Sequence, residues 1–264
     1  MTQASLTDFD VAERAADAAR CATLPYFRTE QLATENKDEA GFDPVTVADR
    51  EAERAMRDVL SELRPDDAIL GEEYGTTSGS SGRTWVLDPI DGTRGFVAGT
   101  PTWGVLIALS DEDGPFLGLI DQPYIGERFL GGPGVARMSG PLGTVSLATR
   151  ATGTMDQATL FTTFPEVGTP AERAAFESVA EQVRLTRYGM DCYAYALLAA
   201  GQVDLVIEAG LAAYDIQAPI AVIQAAGGIV TDWSGNPVHD GGRVLAAATP
   251  KLHAVALSIL TDKD

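Results

Sequence analysis

Hydrophobic and polar positions follow two different patterns along the chain, and the change falls near residue 145. In the first part, amphipathic helices are predicted over residues about 7–28 and over the stretch that follows "DPVT" and stops at Pro65. Short apolar runs then follow, separated by Gly and Pro: "AILGEE", "TWVLDPIDG", "TWGVLIALSD", "GPFLGLIDQP" and "GERFLGG". Their close spacing predicts a sheet built largely from antiparallel hairpins.

The second part alternates between strand-like and helix-like segments. Strands are predicted at "ATLFTTF", "RLTRYG", "VDLVIEA" and "GGIVTD", and helices at "PAERAAFESVAEQV", "DCYAYALLAAG" and "YDIQAPIAVIQAAG". This alternation is typical of an α/β arrangement. The pattern therefore predicts an α+β lobe over residues 1–142 and an α/β lobe over residues 143–264. A cleft between them is the usual place for a small-molecule site.

Composition narrows the class of protein and of partner. The chain has 264 residues, 45% of them hydrophobic, which is enough for a substantial core. Its net charge of −19 argues against nucleic acid and anionic membranes as partners. The longest apolar runs are too short to span a bilayer, and the first twenty residues lack the apolar core of a secretory signal, so a cytoplasmic location is expected. Cys21 and Cys192 lack metal-type spacing and are expected to be free and buried.

Two aspartates flank a proline in "WVLDPIDGTRGF", directly after an apolar strand. Asp88 and Asp91 repel each other at this spacing unless a cation or a strong field compensates their charge. Gly92 and Thr93 open a predicted short helix, whose first amides can bind a phosphate. An ordinary turn with capping carboxylates explains the same residues, so the segment alone leaves both interpretations open.

Further acids at the ends of predicted elements favour a metal site. Glu72 follows the strand "AILGEE", while Asp49 and Asp215 each lie at the start of a predicted helix. Helix capping explains Asp49 or Asp215 singly, but not the arrival of several acids at one cleft. The two histidines stand alone near the C-terminus, and an all-oxygen ligand set suits Mg²⁺ better than Zn²⁺. Bound cations would also let an acidic protein accept an anionic substrate.

These segments resemble the motifs of the inositol monophosphatase superfamily, whose members are Mg²⁺-dependent, lithium-sensitive phosphatases. "WVLDPIDGTRGF" resembles its first signature, "GEEYG" its metal-binding Glu motif, "DPVTVADREAE" its Asp-x-Val-Thr-x-x-Asp segment and "YDIQAPIAVIQAAGG" its second signature. The motifs occur in the expected order, and the resemblance covers residues from about 10 to 260. It implies a layered αβαβα sandwich that is usually assembled as a homodimer.

The resemblance also implies a role for each motif residue. Two or three Mg²⁺ ions would be held by Glu72, Asp88, the Ile90 carbonyl, Asp91 and Asp215. Gly92 and Thr93 would donate to the phosphate, and Asp91 and Asp215 would also face the substrate. Asp49 and Thr93, together with Glu72, would order and deprotonate a metal-bound water. Tyr214 and Gln217 depart from the second signature, where a Trp and a small residue are usual, but neither replaces a ligand.

One segment, "RYGMDCYAYALLAAGQVDLVIEAGLAAYD", resembles the histidinol-phosphate phosphatase branch of this superfamily, although Met190 departs from a Gly there. Asp191 and Glu208 would lie beyond the phosphate, where carboxylates suit the ammonium and imidazole groups of histidinol phosphate. Arg187 and Gly189 complete the predicted substrate-binding set. Other interpretations stay open: Asp191 as a helix cap, Glu208 as a solvated strand end, and Arg187 as half of a structural ion pair.

The leading hypothesis is a Mg²⁺-dependent phosphoric monoester hydrolase of histidine biosynthesis, which hydrolyses L-histidinol phosphate by a metal-activated water. An inositol-1-phosphatase or a broad-specificity sugar-phosphate phosphatase is the alternative within the same class. A non-catalytic, cation-binding regulatory protein on the same fold is a third possibility. The presence of Asp49, Glu72 and Thr93 beside the metal aspartates argues against that last interpretation.

Overall fold

The computed structural model describes residues 6–29, 34–36 and 44–261, and within these ranges the chain forms three sheets and seven α-helices. The helices are α1 (Asp8–Thr23), α2 (Val47–Leu63), α3 (Thr93–Ala98), α4 (Pro170–Ala180), α5 (Cys192–Ala199), α6 (Ala213–Ala225) and α7 (Pro250–Thr261). The first ten strands are β1 (Thr34–Asn36), β2 (Pro44–Thr46), β3 (Ala68–Gly71), β4 (Gly75–Thr77), β5 (Thr84–Asp91), β6 (Gly104–Asp111), β7 (Gly114–Gln122), β8 (Glu127–Gly132), β9 (Val135–Gly140) and β10 (Gly143–Ser146). The remaining strands are β11 (Thr159–Thr162), β12 (Leu185–Tyr188), β13 (Leu205–Ala212), β14 (Ile229–Thr231) and β15 (Gly241–Ala247).

The large sheet has eight strands in the order β10-β9-β8-β7-β6-β5-β3-β4. All of its neighbours pair antiparallel except β3 and β5, which pair in parallel. The predicted hairpins are therefore confirmed. The small sheet has the order β12-β11-β13-β15-β14 and mixes parallel pairs around β11 with antiparallel pairs around β15. Strands β1 and β2 form a separate two-stranded ribbon.

The helices and the two main sheets stack in five layers. Helices α1 and α2 pack on one face of the large sheet through residues such as Ala15, Met56 and Trp85. Helices α5 and α6 lie between the two sheets, in a single apolar cluster that reaches from Val86 to Ala246. Helices α4 and α7 cover the outer face of the small sheet. The predicted αβαβα sandwich is therefore confirmed.

The middle position of α6 follows from its sequence. "AYDIQAPIAVIQA" is apolar around its whole circumference, and a helix of this kind is stable only when it is covered on all sides. Its one buried amide, Gln217, has partners on both of its polar atoms: Ser110 Oγ donates to Oε1 at 2.5 Å, and Nε2 donates to the His239 carbonyl at 3.0 Å. The departure from the second signature at Gln217 thus joins α6 to β6 and to the loop before β15.

Three details refine the expectations from sequence. Strand β10 pairs with β9, so the large sheet extends to Ser146, and the division of lobes at residues 142/143 stays a prediction. Cys192 is buried as predicted, but Cys21 is exposed on α1, so its predicted burial is wrong. Helix α1 is amphipathic, and position 21 lies outside its buried stripe.

Among the described residues, no helix combines the length and the apolar character needed to cross a membrane.

The Asp121 carboxylate ties α1 to the large sheet. Its side chain is fully buried and accepts hydrogen bonds from Arg20 at 3.1 and 2.6 Å and from Arg128 at 2.7 Å. We expect Asp121→Ala to lower the free energy of unfolding by about 3–5 kcal/mol, because it leaves two guanidinium groups without their shared partner. Urea denaturation measures this loss. Asp17→Ala is the control, because Asp17 pairs with the same Arg128 from an exposed position and its loss should cost less than about 1 kcal/mol. Equal losses in the two variants would contradict the role of Asp121.

Candidate active site

A cleft of about 350 Å³ opens where strands of both sheets end. Its walls come from the end of β5 and the start of α3, from the segment after β11, from the start of α5, and from the end of β13 with the start of α6. This volume lies within the range of about 300–1,000 Å³ that small-molecule sites occupy. The cleft contains most of the acids that the sequence singled out.

An irregularity in strand β5 brings two aspartates into the cleft. Pairing with β6 is regular up to Asp88 opposite Leu106, and then shifts before Asp91 opposite Gly104. Pro89 lies inside this bulge, where the missing N–H does not break the ladder. Asp88 is only 2% exposed, and its carboxylate accepts a hydrogen bond from the Ile90 N–H at 3.0 Å. The carboxylates at 88 and 91 therefore both reach the cleft.

Asp215 reaches the same point from the small sheet. Strand β13 has a bulge between Glu208 and Leu211, and α6 begins at Ala213, directly after the strand. The Asp215 carboxylate accepts a hydrogen bond from the Ala212 N–H at 2.7 Å, so the capping role considered for it is present. Nevertheless, one carboxylate oxygen each from Asp88, Asp91 and Asp215 lies within 4.8 Å of the others. Capping alone does not explain this cluster.

The electrostatics of the cluster suit a hard cation. Burial raises the pKa of Asp88 well above its ordinary value, and the charges of Glu72, Asp91, Asp215 and Asp49 raise it further. The pKa of Asp91 is also raised by burial and by neighbouring acids, although the Cys192 N–H donates to its carboxylate at 2.5 Å and opposes the shift. Carboxylates this close in a partly buried cluster repel one another, and their oxygens are the ligands that Mg²⁺ prefers. The donor set therefore fits the divalent cation that the sequence implied.

Glu72 and Ile90 complete the predicted ligand set. Glu72 lies in the turn between β3 and β4, where its N–H donates to the Leu87 carbonyl at 3.2 Å. It lines the cleft, and among the neighbouring charges its own has the largest effect in raising the pKa of Asp88. Ile90 also lines the cleft, although its side chain is fully buried, so it offers backbone atoms to the site.

Thr93 and Asp49 form a polar pair beside the cluster. The hydroxyl oxygen of Thr93 lies 3.0 Å from the Ile90 carbonyl oxygen and 3.4 Å from Asp49 Oδ1. The other oxygen of Asp49 accepts hydrogen bonds from the Thr46 N–H at 2.8 Å and from its hydroxyl at 2.5 Å. Burial raises the pKa of Asp49 to about 6, although these two hydrogen bonds act to lower it. Asp49 thus serves as a cap with one oxygen and faces Thr93 with the other.

Gly92 lies where a side chain would not fit. Its φ of +85° is in the left-handed region, and a Cβ there would lie 2.9–3.0 Å from atoms of the Asp191 side chain. The close approach places the Asp191 carboxylate against the Gly92–Thr93 segment, which is the predicted phosphate-binding element. The two predicted substrate-binding features are therefore neighbours in the structure.

Asp191 has an unusual backbone conformation for its residue type. It precedes α5 with φ +46° and ψ −140°, a conformation that favours glycine, and its side chain makes no capping hydrogen bond. Burial raises its pKa to about 6, while the charge of Arg94 acts in the opposite direction. The alternative that Asp191 only caps the helix is therefore wrong. A strained, half-buried carboxylate in a cleft is typical of a functional position.

Glu208 is buried and held by three hydrogen bonds. One oxygen accepts from the Thr163 N–H at 2.9 Å and from its hydroxyl at 2.5 Å, and the other accepts from the Tyr195 hydroxyl at 3.1 Å. Its side chain is 6% exposed, and burial raises its pKa to about 7. The alternative of a solvated strand end is therefore wrong. Glu208 lines the cleft with a fixed orientation.

Two residues of the predicted substrate-binding set lie elsewhere. Arg187 is exposed on β12, the edge strand of the small sheet, and Gly189 is exposed just after it. Neither lines the cleft, so their roles stay predictions. Conversely, Arg94 and Phe164 line it, with the guanidinium 4.9 Å from the ring centre, and sequence reasoning missed both. A basic residue directly after Thr93 was the available signal for Arg94.

Known proteins are similar to this chain over almost its whole length. The model of the inositol monophosphatase family matches residues 4–263. The chain is 41% identical over 257 residues to the bifunctional phosphatase IMPL2, chloroplastic, of Arabidopsis thaliana, which covers 93% of this chain and 72% of the relative. It is 33% identical to a histidinol-phosphatase of Streptomyces coelicolor, with 98% of each chain covered.

A solved structure is also similar to this chain over almost its whole length. An inositol monophosphatase from Zymomonas mobilis superposes with a TM-score of 0.83 at 37% sequence identity, covering 96% of this chain and 97% of that one. All three of these similar proteins are named as phosphatases, but the name of one refers to histidinol and that of another to inositol monophosphate.

Proposed function

The chain belongs to the inositol monophosphatase family, and from this premise we propose that it hydrolyses L-histidinol phosphate to L-histidinol and phosphate. The observation that carries the proposal is the position of Asp191, a half-buried carboxylate lying directly against the Gly92 segment. In histidinol phosphate the ammonium group is on the carbon next to the phosphorylated one. A phosphate bound at Gly92 and Thr93 would bring that ammonium toward Asp191, where opposite charges attract.

Glu208 is suited to the other end of this substrate. Its three protein hydrogen bonds fix its direction and leave it acceptor capacity, because a carboxylate has about four lone-pair sites. An imidazole N–H could use that capacity. Inositol 1-phosphate is the second candidate, and it is favoured by the similarity to the Zymomonas mobilis inositol monophosphatase.

We propose that Glu72, Asp88, the Ile90 carbonyl, Asp91 and Asp215 hold Mg²⁺. When bound there, Mg²⁺ would supply the positive charge that activates water and stabilises the phosphate in the transition state. As water attacks phosphorus, the bond between phosphorus and the ester oxygen breaks, and the leaving alkoxide takes a proton from solvent water. Thr93 Oγ1 can accept the proton of the attacking water and pass its own proton to Asp49 Oδ1. A carboxylate with a pKa of about 6 is a suitable acceptor near neutral pH.

Selectivity tests the assignment of substrate. Asp191→Asn should lower kcat/KM for histidinol phosphate by about 10- to 150-fold, because it removes a charge-assisted contact worth about 1.5–3 kcal/mol. Hydrolysis of glycerol 2-phosphate should change little, since the predicted metal ligands remain. The measurement is kcat/KM for histidinol phosphate, inositol 1-phosphate and glycerol 2-phosphate at one fixed Mg²⁺ concentration.

Asp191→Gly provides a matched comparison. It also removes the carboxylate, but it relieves the unfavourable φ of +46°, so it should be at least as stable as Asp191→Asn while showing the same loss of selectivity. If the unaltered protein prefers inositol 1-phosphate, or if Asp191→Asn lowers all three rates equally, a general phosphatase replaces the histidinol-phosphate proposal. The expected place in histidine biosynthesis, cytoplasmic location and homodimeric assembly stay predictions.

A further inference from the structure

A buried carboxylate outside the cleft contacts the turn that carries Glu72. Glu53 lies on α2 with its side chain fully buried, and it has no part in the chemistry above. One of its oxygens accepts from the Glu73 N–H at 2.7 Å, and the other accepts from the Tyr74 N–H at 3.2 Å and from Arg57 Nε at 2.7 Å. A fully buried charge is retained at this position because a guanidinium and two amides compensate it.

The turn between β3 and β4 is thereby held from two directions. The N–H of Glu72 donates to the Leu87 carbonyl on β5, while the next two amides donate to Glu53. Gly71, just before the turn, leaves room for this contact, because a Cβ there would lie 2.0 Å from Glu53 Oε1. The backbone on both sides of the Glu72 side chain is therefore fixed by bonds to other elements.

Arg57 extends the same connection to β4. It donates to the Gly75 carbonyl at 2.5 Å and to the Thr77 hydroxyl at 2.9 Å. Glu53 also lies one helical turn after Asp49, so the two carboxylates project from the same side of α2. One rigid helix thus connects the turn of Glu72 with the acid that faces Thr93.

We propose that Glu53 is a positioning residue that aims Glu72 at the divalent cation through the backbone amides of Glu73 and Tyr74. The proposal rests on the proposed function in one respect, that Glu72 is a cation ligand. It does not depend on which phosphate ester is the substrate. Groups that orient metal ligands from outside typically change metal affinity by about 10- to 100-fold when they are removed.

The test variant is Glu53→Gln, which keeps the shape of the side chain. Its amide NH₂ must face either a backbone N–H or the guanidinium, so at least one hydrogen bond becomes a repulsive contact between donors. We expect Mg²⁺ affinity, measured by isothermal titration calorimetry without substrate, to fall by about 10- to 100-fold. Turnover should recover most of its value when Mg²⁺ is raised to saturation, because the catalytic groups themselves are intact.

Asp204→Asn is the matched control. Asp204 is also fully buried and accepts hydrogen bonds from an arginine, Arg150, and from a backbone amide, that of Thr159. It lies directly before β13 and does not line the cleft. Its loss should lower the Tm without changing Mg²⁺ affinity. If Glu53→Gln and Asp204→Asn have lower Tm values and unchanged Mg²⁺ affinity, Glu53 is only a structural residue and the proposal is wrong.

A milder variant covers the case in which Glu53→Gln does not fold. Arg57→Lys keeps the charge beside Glu53 but loses the fork that bonds Glu53 and β4 together, so it should show a smaller loss of Mg²⁺ affinity. An affinity equal to that of the unaltered protein would contradict the proposal. If the unaltered protein neither binds Mg²⁺ nor hydrolyses a phosphate ester, the proposed function fails, and this result differs from both outcomes for Glu53.

Discussion

Asp88→Asn is expected to abolish measurable Mg²⁺ binding and to reduce kcat at least about 10²–10³-fold, the loss that follows removal of one group stabilising the transition-state charge. The physical reason is the position of Asp88 within the acidic cluster. One of its carboxylate oxygens lies within 4.8 Å of a carboxylate oxygen of Asp91 and of one of Asp215. An amide lacks the negative charge that attracts the cation, although it keeps the size and shape of the carboxylate. The effect should therefore appear in metal binding as well as in turnover.

The same variant should not destabilise the metal-free protein. Because the folded state raises the pKa of Asp88 above its ordinary value, ionisation of this group lowers stability as the pH rises through and beyond the ordinary carboxyl range. The amide does not ionise, so without metal at neutral pH the Tm of Asp88→Asn should equal or exceed that of the unaltered protein. With Mg²⁺ the order should reverse, because only the unaltered protein gains stability from binding.

Thermal melts with and without Mg²⁺, together with phosphate-release assays, measure both effects. Asp113→Asn is the control, because this aspartate lies exposed in the β6–β7 hairpin and its neutralisation should leave the Mg²⁺ response intact. Retention of normal turnover by Asp88→Asn at equal Mg²⁺ would show that the cation does not bind at this cluster.

Thr93→Ala is expected to lower kcat by about 10²–10⁴-fold with little change in KM, as for the loss of a positioned proton-transfer group. The hydroxyl lies between the Ile90 carbonyl and Asp49 Oδ1, so its removal would break the proposed path of the proton to Asp49. Asp49→Asn should lower kcat similarly, since an amide is a poor proton acceptor. Steady-state kinetics at saturating Mg²⁺ separate kcat from KM.

Two further measurements distinguish a loss of proton transfer from a loss of stability in the Thr93 and Asp49 variants. Thr93→Ser restores the hydroxyl and should restore most of kcat. Asp49→Asn also weakens the cap on α2, because Asp49 accepts two hydrogen bonds from Thr46, and this should cost about 1 kcal/mol of stability. A raised KM with an unchanged kcat in Thr93→Ala would assign the hydroxyl to substrate binding and not to proton transfer.

The periodicity of the apolar residues predicted the antiparallel hairpins and the later alternation of strands and helices, whereas the layered αβαβα arrangement followed from the resemblance to the inositol monophosphatase superfamily. Strand β5 is apolar on both sides, in agreement with its place under helices on each face. The exact end of the large sheet was harder to predict, since β10 is short and exposed and carries no buried face. The two-sided burial of α6 was visible in its composition, but composition does not say which two sheets would enclose it.

The candidate site was predictable where a residue belongs to a local motif, and not where its role depends on a distant contact. Asp88 and Asp91 are adjacent in a motif, and the structure brings both to the cleft. Glu53 reads as an ordinary helical glutamate until the folded chain places it under the turn at residues 72–74. Similarly, Thr163 becomes relevant only because β11 lies beside β13 and thus beside Glu208.

Opening of the cleft by a hinge between the two sheets would require the middle helices to separate from one of them. Helices α5 and α6 share one close-packed apolar cluster with both sheets, and interiors of this kind resist graded deformation. The walls that carry Asp88 and Glu208 are therefore fixed relative to each other before any ligand arrives. At these two walls, recognition should accordingly resemble lock-and-key binding, with adjustment by side chains such as Arg94 and Phe164.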